Sequence, residues 1–177
     1  MRWLNEPREW SGDASDLTVA VEPDTDFWRV THYGFTRDSG HFLDTGALGL
    51  RFRGDFAHQY DQAGLMLRID SEHWIKAGLE LDGALWLSVV VTNGVSDWSQ
   101  QPAPPPDDDG WWSIRAESSG DAVQILCGDQ PVRLAPFPLG SASLRSSPAS
   151  PRFQSGPMCA APKGPGFTAS FRSLNPG

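Results

Sequence analysis

The sequence predicts an all-β fold in which two antiparallel sheets pack face to face. About ten short stretches alternate apolar and polar side chains with a period of two, the pattern of half-buried strands. Turn-forming residues separate these stretches, and the chain holds 18 glycines and 15 prolines. No segment of useful length has the helical period of 3.6 residues. Many short strands joined by turns indicate a sandwich or jelly roll.

Elements can be assigned in chain order from this alternation. LTVAVE at Leu17–Glu22 is a strand that Pro23 ends, and the aromatic-rich Phe27–Phe35 is read as one strand that contains His32. Later strands are expected at His41–Leu43, Ala47–Phe56, Trp112–Ala116, Ala122–Cys127 and Gly166–Leu174.

The whole chain, residues 1–177, is predicted to be one β-sandwich domain, since its length suffices for a substantial core. Two stretches interrupt the strand pattern. Residues 101–110, QPAPPPDDDG, are expected to form an exposed, mobile loop because prolines cannot join a ladder and aspartates resist burial. Residues 131–155 are rich in proline and serine, and no period is visible there.

Three consecutive apolar runs between Tyr60 and Trp98 form the centre of the predicted fold, as a three-stranded antiparallel meander. Their strict alternation assigns one face to a core between two sheets. The residues expected on that face are Leu65, Leu67, Ile69, Ile75, Ala77, Leu79, Leu85, Leu87 and Val89.

The register of the meander depends on its turns. A two-residue turn at Asp82-Gly83 would mix apolar and polar faces. We therefore expect a three-residue loop, Leu81–Gly83, with glycine in the left-handed conformation and Glu80 opposite Ala84. A loop of the same length, Ser71–His73, is expected between the first two strands.

The opposite face of the meander is polar and aromatic. The expected register sets Arg68, Lys76 and Ser88 in one row, with Trp74 and Trp86 on the same face. Adjacent like charges destabilise a sheet, so the two cations need a carboxylate or an anionic ligand. Either an ordinary layer covers this face or it is a shallow binding surface.

Charge and composition exclude several classes of partner. The formal net charge is −8 and no basic cluster is present, which argues against nucleic acid and anionic membranes. No apolar run is long enough for a membrane helix, and the first residues lack the apolar core of a signal peptide. We expect a cytoplasmic protein. Cys127 and Cys159 suggest neither a disulfide framework nor a metal site, and are expected to be buried small side chains.

Five blocks carry a resemblance to a known family. They are THYGF (31–35), DSGHF (38–42), YDQAGLMLRIDSEHWIKAGLE (60–80), SVVVTNGVSDWS (88–99) and GPMCAAPKGPGF (156–167). In these blocks the chain resembles a bacterial and fungal family of unknown function that includes the fungal "regulation of enolase" protein, within the concanavalin A-like lectin/glucanase superfamily.

The resemblance implies a jelly roll with one bowed sheet, on whose concave face relatives in the superfamily hold sugars. The chain departs from the family pattern between Pro131 and Gln154. The positions carried over by motif match are His32, Arg68, Trp74, Lys76, Glu80, Ser88 and Trp98.

Catalysis and metal binding find weak support in the residues. Glycoside hydrolysis needs two carboxylates across the scissile bond. Asp82 is expected in a turn. Asp70 and Glu80 are expected on the same face but at opposite ends of neighbouring strands, too far apart for either retaining or inverting hydrolysis. The four histidines are scattered, and the run Asp107–Asp109 is read as solvated charge more readily than as a calcium site. No metal, cofactor or catalytic residue is predicted.

Two functions remain open. The first is a non-catalytic module that binds a small carbohydrate or sugar-like anion on the polar face, with Trp86 added to the floor. Trp98 is expected either in a loop over the rim or in the core, and His32 is a ligand contact or a structural histidine. The second is a regulatory protein that docks a protein partner. A glycoside hydrolase is a distant third.

Overall fold

The computed structural model describes residues 1–119, 122–137 and 154–174. These ranges contain strands and turns but no helix, and thus no helix long and apolar enough to cross a membrane. The strands are β1 (Arg2–Leu4), β2 (Trp10–Gly12), β3 (Asp16–Val21), β4 (Phe27–Arg29), β5 (Thr36–Asp38), β6 (His41–Asp44), β7 (Gly49–Gly54), β8 (Gln62–Arg68), β9 (His73–Asp82), β10 (Ala84–Asn93), β11 (Val95–Pro102), β12 (Trp112–Ser119), β13 (Ala122–Cys127), β14 (Gln130–Pro136), β15 (Gln154–Ala160) and β16 (Phe167–Ser173).

Two seven-stranded antiparallel sheets form the sandwich, which confirms the predicted fold class. The front sheet has the order β1-β6-β15-β8-β9-β10-β11, and the back sheet has the order β14-β13-β12-β7-β16-β3-β2. A separate two-stranded sheet, β4-β5, is called the hairpin below.

Apolar side chains from both sheets fill the space between them. Leu65 and Leu87 of the front sheet and Phe52 and Phe171 of the back sheet belong to one buried cluster. Fully burying side chains of this size contributes about 1.5–3 kcal/mol each. Of the nine predicted inward residues, all but two belong to this cluster. Ile69 packs against its edge, and Leu85 is half-buried.

The predicted register between β9 and β10 is wrong by two residues. Asp82 pairs with Ala84 around Gly83, whereas the prediction placed Ala84 opposite Glu80. Gly83 has a φ of 69°, so the expected left-handed glycine is present. A shift of two residues returns each side chain to its predicted face, because the strand period is two, but changes its cross-strand neighbour.

The loop between β8 and β9 is longer than the expected Ser71–His73. Ile69 donates its amide to the carbonyl of His73 at 2.9 Å. Asp70 Oδ1 accepts the amides of Glu72 (2.8 Å) and His73 (2.9 Å). This carboxylate organises a wider turn than alternation alone would indicate.

The like-charged row expected on the polar face is consequently not formed. Arg68 lies opposite Trp74, and Lys76 lies opposite Met66. The prediction that Arg68 and Lys76 lie side by side is wrong, because it rested on the shorter loop.

The hairpin covers part of the outer face of the front sheet. Phe27–Phe35, predicted as one strand, instead forms β4 and a turn that leads into β5. His32 lies in this turn with a φ of 65°, so its predicted strand position is wrong. The hairpin and the sheet enclose a second apolar cluster of Phe27, Trp28, Phe42, Met66, Trp74, Val90 and Met158.

Polar contacts attach the hairpin to the sheet. The Arg29 amide donates to Ser96 Oγ at 2.9 Å, and its Nε donates to the Gly94 carbonyl at 2.7 Å. Arg29 also pairs with Glu72. At the end of β5, the side chain of Asp38 reaches Arg68 on β8. The hairpin is therefore fixed to the sheet on both of its strands.

The stretches expected to be irregular contain further strands. β14 begins at Gln130 and occupies the first part of residues 131–155, and β15 begins at Gln154; residues 138–153 are outside the described part of the chain. The expected loop at 101–110 starts late, because β11 continues to Pro102. Pro105–Asp109 is exposed as predicted, whereas Ala103 and Pro104 are half-buried; the mobility of the run remains a prediction. Cys127 and Cys159 are both buried, as expected.

Candidate functional site

A cavity of about 110 Å³ lies between the hairpin and the front sheet. The cavity is open to solvent on one side. Aromatic side chains that line it are Trp28, Tyr33, Phe35, Tyr60 and Trp98. Buried or half-buried polar side chains that line it are Asp26, Gln62, Lys76 and Glu80.

Lys76 is the central cation of the cavity, and it is only 4 % exposed. Its Nζ donates to Gln62 Oε1 at 2.6 Å and lies 3.6 Å from Asp26 Oδ1. The Gln62 amide nitrogen donates in turn to Asp26 Oδ1 (3.3 Å) and to the Tyr60 carbonyl (3.2 Å). A buried ammonium needs such a partner, because an isolated charge is costly to remove from water.

Glu80 is the second buried ionisable group, four residues further along β9 on the same face. Burial raises the pKa of its carboxyl, and this outweighs the opposing effects of Lys76 and of a hydrogen bond from Ser88. Trp98 Nε1 donates to Ser88 Oγ at 2.8 Å. The indole edge is thereby occupied, while the residue still lines the cavity.

A row of very small residues separates Lys76 from Glu80 on the sheet. Gly78 has Gly64 on one side and Ser88 on the other. A Cβ on Gly78 would lie 2.1 Å from the Ala63 carbonyl oxygen, so no larger residue fits there. A void of about 10 Å³ above this row is lined by Lys76, Glu80 and Ser88, about the space that one water molecule requires.

Two tyrosines meet at the cavity, and their hydroxyls are 3.2 Å apart. Tyr33 belongs to the hairpin turn, where Val30 has a φ of 64°, and Tyr60 has a φ of 69°. Positive φ is unfavourable for a β-branched residue such as valine and concentrates at functional sites. Two exposed cations, Arg37 and Lys163, also line the cavity.

The hairpin separates two of the predicted site residues from this cavity. Arg68 donates to Asp38 through both terminal nitrogens, at 2.9 and 2.7 Å. Trp74 is 1 % exposed and packs on Phe27, with ring centroids 6.2 Å apart. Both residues therefore contribute to attachment of the hairpin, and neither lines the cavity.

The other predicted positions divide between the cavity and the surface. Lys76, Glu80 and Trp98 line the cavity, and Ser88 lines the small void beside it. Trp98 lies on β11, half-buried against the second apolar cluster, so of its two expected positions the loop over the rim is wrong. Two residues lie apart: His32 is exposed beside Tyr33, with ring centroids 4.6 Å apart, and Trp86 donates to the Asp82 carbonyl at 3.0 Å.

Sequence reasoning missed most of the hairpin side of the cavity. Tyr33 and Phe35 occur in the THYGF block, from which only His32 was selected. Tyr60 begins another block, and Lys163 lies in a third. The three sequence blocks could have pointed to these residues. The prediction of Phe27–Phe35 as a single strand hid the turn that carries Tyr33.

The positions of the carboxylate and histidine side chains bear on metal binding and on glycoside hydrolysis. Among the residues that the structure describes, no group of three or more His, Cys, Asp or Glu side chains is placed to hold a metal ion. Asp70 is bonded to its own turn and to His73 Nδ1 at 2.8 Å. The carboxylates that accompany Glu80 in the cavity are those of Asp24 and Asp26, which precede the hairpin.

Comparison with known proteins places the chain in a family. A family model described as "Protein of unknown function (DUF1349)" matches residues 3–176. "Regulation of enolase protein 1" of Saccharomyces cerevisiae is 40% identical over 178 residues, which cover 96% of this chain and 85% of that protein. A solved structure of a functionally unknown protein from Saccharomyces cerevisiae has a TM-score of 0.82 and 37% identity, covering 97% of this chain and 92% of that one.

A more distant likeness concerns the fold alone. A GH43 protein from Bacillus licheniformis has a TM-score of 0.60 at 15% identity, and the match covers 89% of this chain but 32% of that one. This agrees with the observed sandwich of two antiparallel sheets. On the family model and the yeast relative, the chain belongs to the family of unknown function that includes the fungal regulation of enolase protein.

Proposed function

We propose that the cavity binds a small carbohydrate or a sugar-like anion. The observation that carries this proposal is the combination of an aromatic lining, from Trp28 and Trp98, with buried hydrogen-bonding groups, from Gln62, Lys76 and Glu80. A sugar ring has an apolar face that packs on aromatic rings and hydroxyls that both donate and accept. Ligand sites in proteins combine these two kinds of surface.

The charges favour one orientation for an anionic sugar. Lys76 is already matched by Asp26, and Glu80 lies beside it, so a second negative group is disfavoured at the floor. Lys163 and Arg37 are exposed at the cavity. An anionic substituent is therefore expected toward these two residues, and the sugar hydroxyls toward the floor.

Calorimetry and thermal-shift titrations with neutral sugars, the matching uronic acids and phosphosugars test this proposal. Trp98→Ala should weaken binding roughly tenfold, about 1–2 kcal/mol for a lost aromatic contact. Trp112→Ala is the matched control, because Trp112 is half-buried in the back sheet and donates to Pro104. Lys163→Ala should weaken uronic acids more than neutral sugars. Equal losses for Trp98→Ala and Trp112→Ala would count against the site.

A second candidate function is docking of a protein partner in the cytoplasm, as in enolase regulation. The observation that favours it is the exposed apolar surface of the hairpin turn, where Val30, Tyr33 and Phe35 are 45%, 39% and 41% exposed. Phe35→Ser should abolish binding of purified enolase, while Leu48→Ser, at a residue 45% exposed elsewhere, should not. Sugar binding without enolase binding would leave only the first proposal.

A further inference from the structure

The chain has 14 basic residues of the lysine and arginine types, and only Lys76 and Lys163 are lysines. Both lysines line the same cavity. Arginine remains protonated in proteins, whereas a lysine amine can lose its proton and act as a nucleophile. We propose that Lys76 captures the open-chain carbonyl form of a small sugar as a reversible imine. This rests on the proposed sugar site and adds covalent chemistry to it.

The surroundings of Lys76 hold its amine in a fixed position and place a proton acceptor beside it. Gln62 Oε1 holds Nζ at 2.6 Å, and Gln62 is itself fixed by Asp26 and the Tyr60 carbonyl. The carboxylate oxygen of Asp26, 3.6 Å from Nζ, is the nearby group that can take the ammonium proton. The Trp28 ring centroid lies 6.0 Å from Nζ, at a cation–π distance.

Glu80 supplies the acid that imine formation needs. It lines both the cavity and the small void that Lys76 lines, and burial raises the pKa of its carboxyl, which favours the protonated form. Positioned acids of this kind typically accelerate a proton-transfer step by 10²–10⁴-fold.

The reaction balances without an oxidant or reductant. Asp26 accepts a proton from the Lys76 ammonium, and the freed electron pair attacks the carbonyl carbon, forming a C–N bond while the C=O π bond breaks. Glu80 protonates the oxygen to give a carbinolamine. The C–O bond then breaks and the oxygen leaves as water with the proton returned from Asp26, while the carbinolamine nitrogen returns a proton to Glu80. One ammonium and one aldehyde thus give one protonated imine and one water, and water reverses the reaction.

Reductive trapping tests the proposal on the intact chain. The protein is incubated with glyceraldehyde and cyanoborohydride, which reduces an imine to a stable secondary amine, and modified sites are mapped by peptide mass spectrometry. Lys76 should be modified faster than Lys163 although it is buried and Lys163 is exposed. Burial alone predicts the reverse order, so modification of only Lys163 and the amino terminus would overturn the proposal.

Two variants separate chemistry from folding. Lys76→Arg retains the charge and cannot form an imine, so it should lose the adduct while its thermal unfolding stays cooperative. Glu80→Gln keeps a side chain of similar shape and should slow trapping at Lys76 about a hundredfold, leaving Lys163 unchanged. Unchanged trapping at Lys76 in Glu80→Gln would contradict the acid role.

A sugar alcohol and a methyl glycoside, which lack a free carbonyl, distinguish this inference from the proposed function. Both should bind by calorimetry and slow trapping at Lys76. Binding of these ligands without any trapping at Lys76 would remove the imine and leave the sugar site. If these ligands neither bind nor slow trapping at Lys76, the result would support the reactive lysine and contradict the sugar site.

Discussion

The ion pair between Arg68 and Asp38 should be a principal attachment of the hairpin, and Asp38→Ala tests this. The guanidinium donates to both carboxylate oxygens, at 2.9 and 2.7 Å. The Arg68 side chain is 7% exposed and that of Asp38 is 31% exposed. The substitution therefore leaves a charge that is almost fully buried without its partner.

The expected loss follows from this burial. Removing one partner of a buried pair costs about 3–5 kcal/mol, and the partial exposure of Asp38 places this site near the lower end, at ~3 kcal/mol. For a domain of this length, each kcal/mol corresponds to roughly 2–4 °C in Tm, so a fall of roughly 6–12 °C is expected. Arg68→Met should cost less, because the remaining Asp38 can reach solvent.

Urea unfolding followed by tryptophan fluorescence measures the free-energy change. Asp97→Ala is the matched control: Asp97 pairs with Arg133 at 2.6 Å, but its side chain is 71% exposed. Arg133 keeps hydrogen bonds to Ser99 Oγ and to the Val89 carbonyl when the Asp97 side chain is removed, so the loss should be only about 0–1 kcal/mol. The reasoning would be refuted if Asp38→Ala cost no more than Asp97→Ala, or less than Arg68→Met.

Four further outcomes are expected. Leu87→Ala should cost about 2–5 kcal/mol in urea unfolding, since Leu87 is 1% exposed in the main core. Glu80→Gln should stabilise the protein at neutral pH, because the raised pKa makes ionisation of Glu80 unfavourable in the folded state. The gain in stability should vanish as the pH falls below 4.5, the ordinary pKa of a glutamate carboxyl. Equal gains at neutral pH and below pH 4.5 would contradict this reasoning. Trp111→Ala should cost about 3–5 kcal/mol and expose the preceding loop to proteases, because Trp111 is 3% exposed against three arginine side chains. Burial raises the pKa of the Cys127 and Cys159 thiols, so both should resist thiol reagents until the protein unfolds, with Cys159 the slower.

The faces of the strands were predictable from sequence, but their register was not. A strand side chain returns to the same face every two residues, so Leu65 and Leu87 were assigned to the core even though their pairing was wrong. Register depends on turn geometry, and the turn after β8 is set by the carboxylate of Asp70. This contact depends on one aspartate side chain, and the alternation of apolar and polar residues gives no information about it.

The candidate site was predictable only on the side that the meander supplies. Lys76, Glu80 and Trp98 were identified because they lie on long, regular strands. Tyr33 lies in the turn after β4 and Asp26 lies just before β4; both were missed because the short hairpin folds back through turns with positive φ. Its position depends on contacts such as Arg29 with Gly94, 65 residues apart in sequence.

The hairpin determines how the polar face of the front sheet is used. Over Arg68 and Trp74 the hairpin packs closely and supplies Asp38 as a counter-charge. The side chains at that end of the face therefore stabilise the fold and do not line the cavity. Over Lys76 the covering layer contributes Trp28 and Tyr33, and the small residues beneath leave space that the hairpin does not fill. The same alternating pattern thus gives core at one end and a cavity at the other. Because the difference lies in the covering layer, comparison of the β4–β5 turn and of the position of Lys76 among relatives should indicate which members retain the cavity.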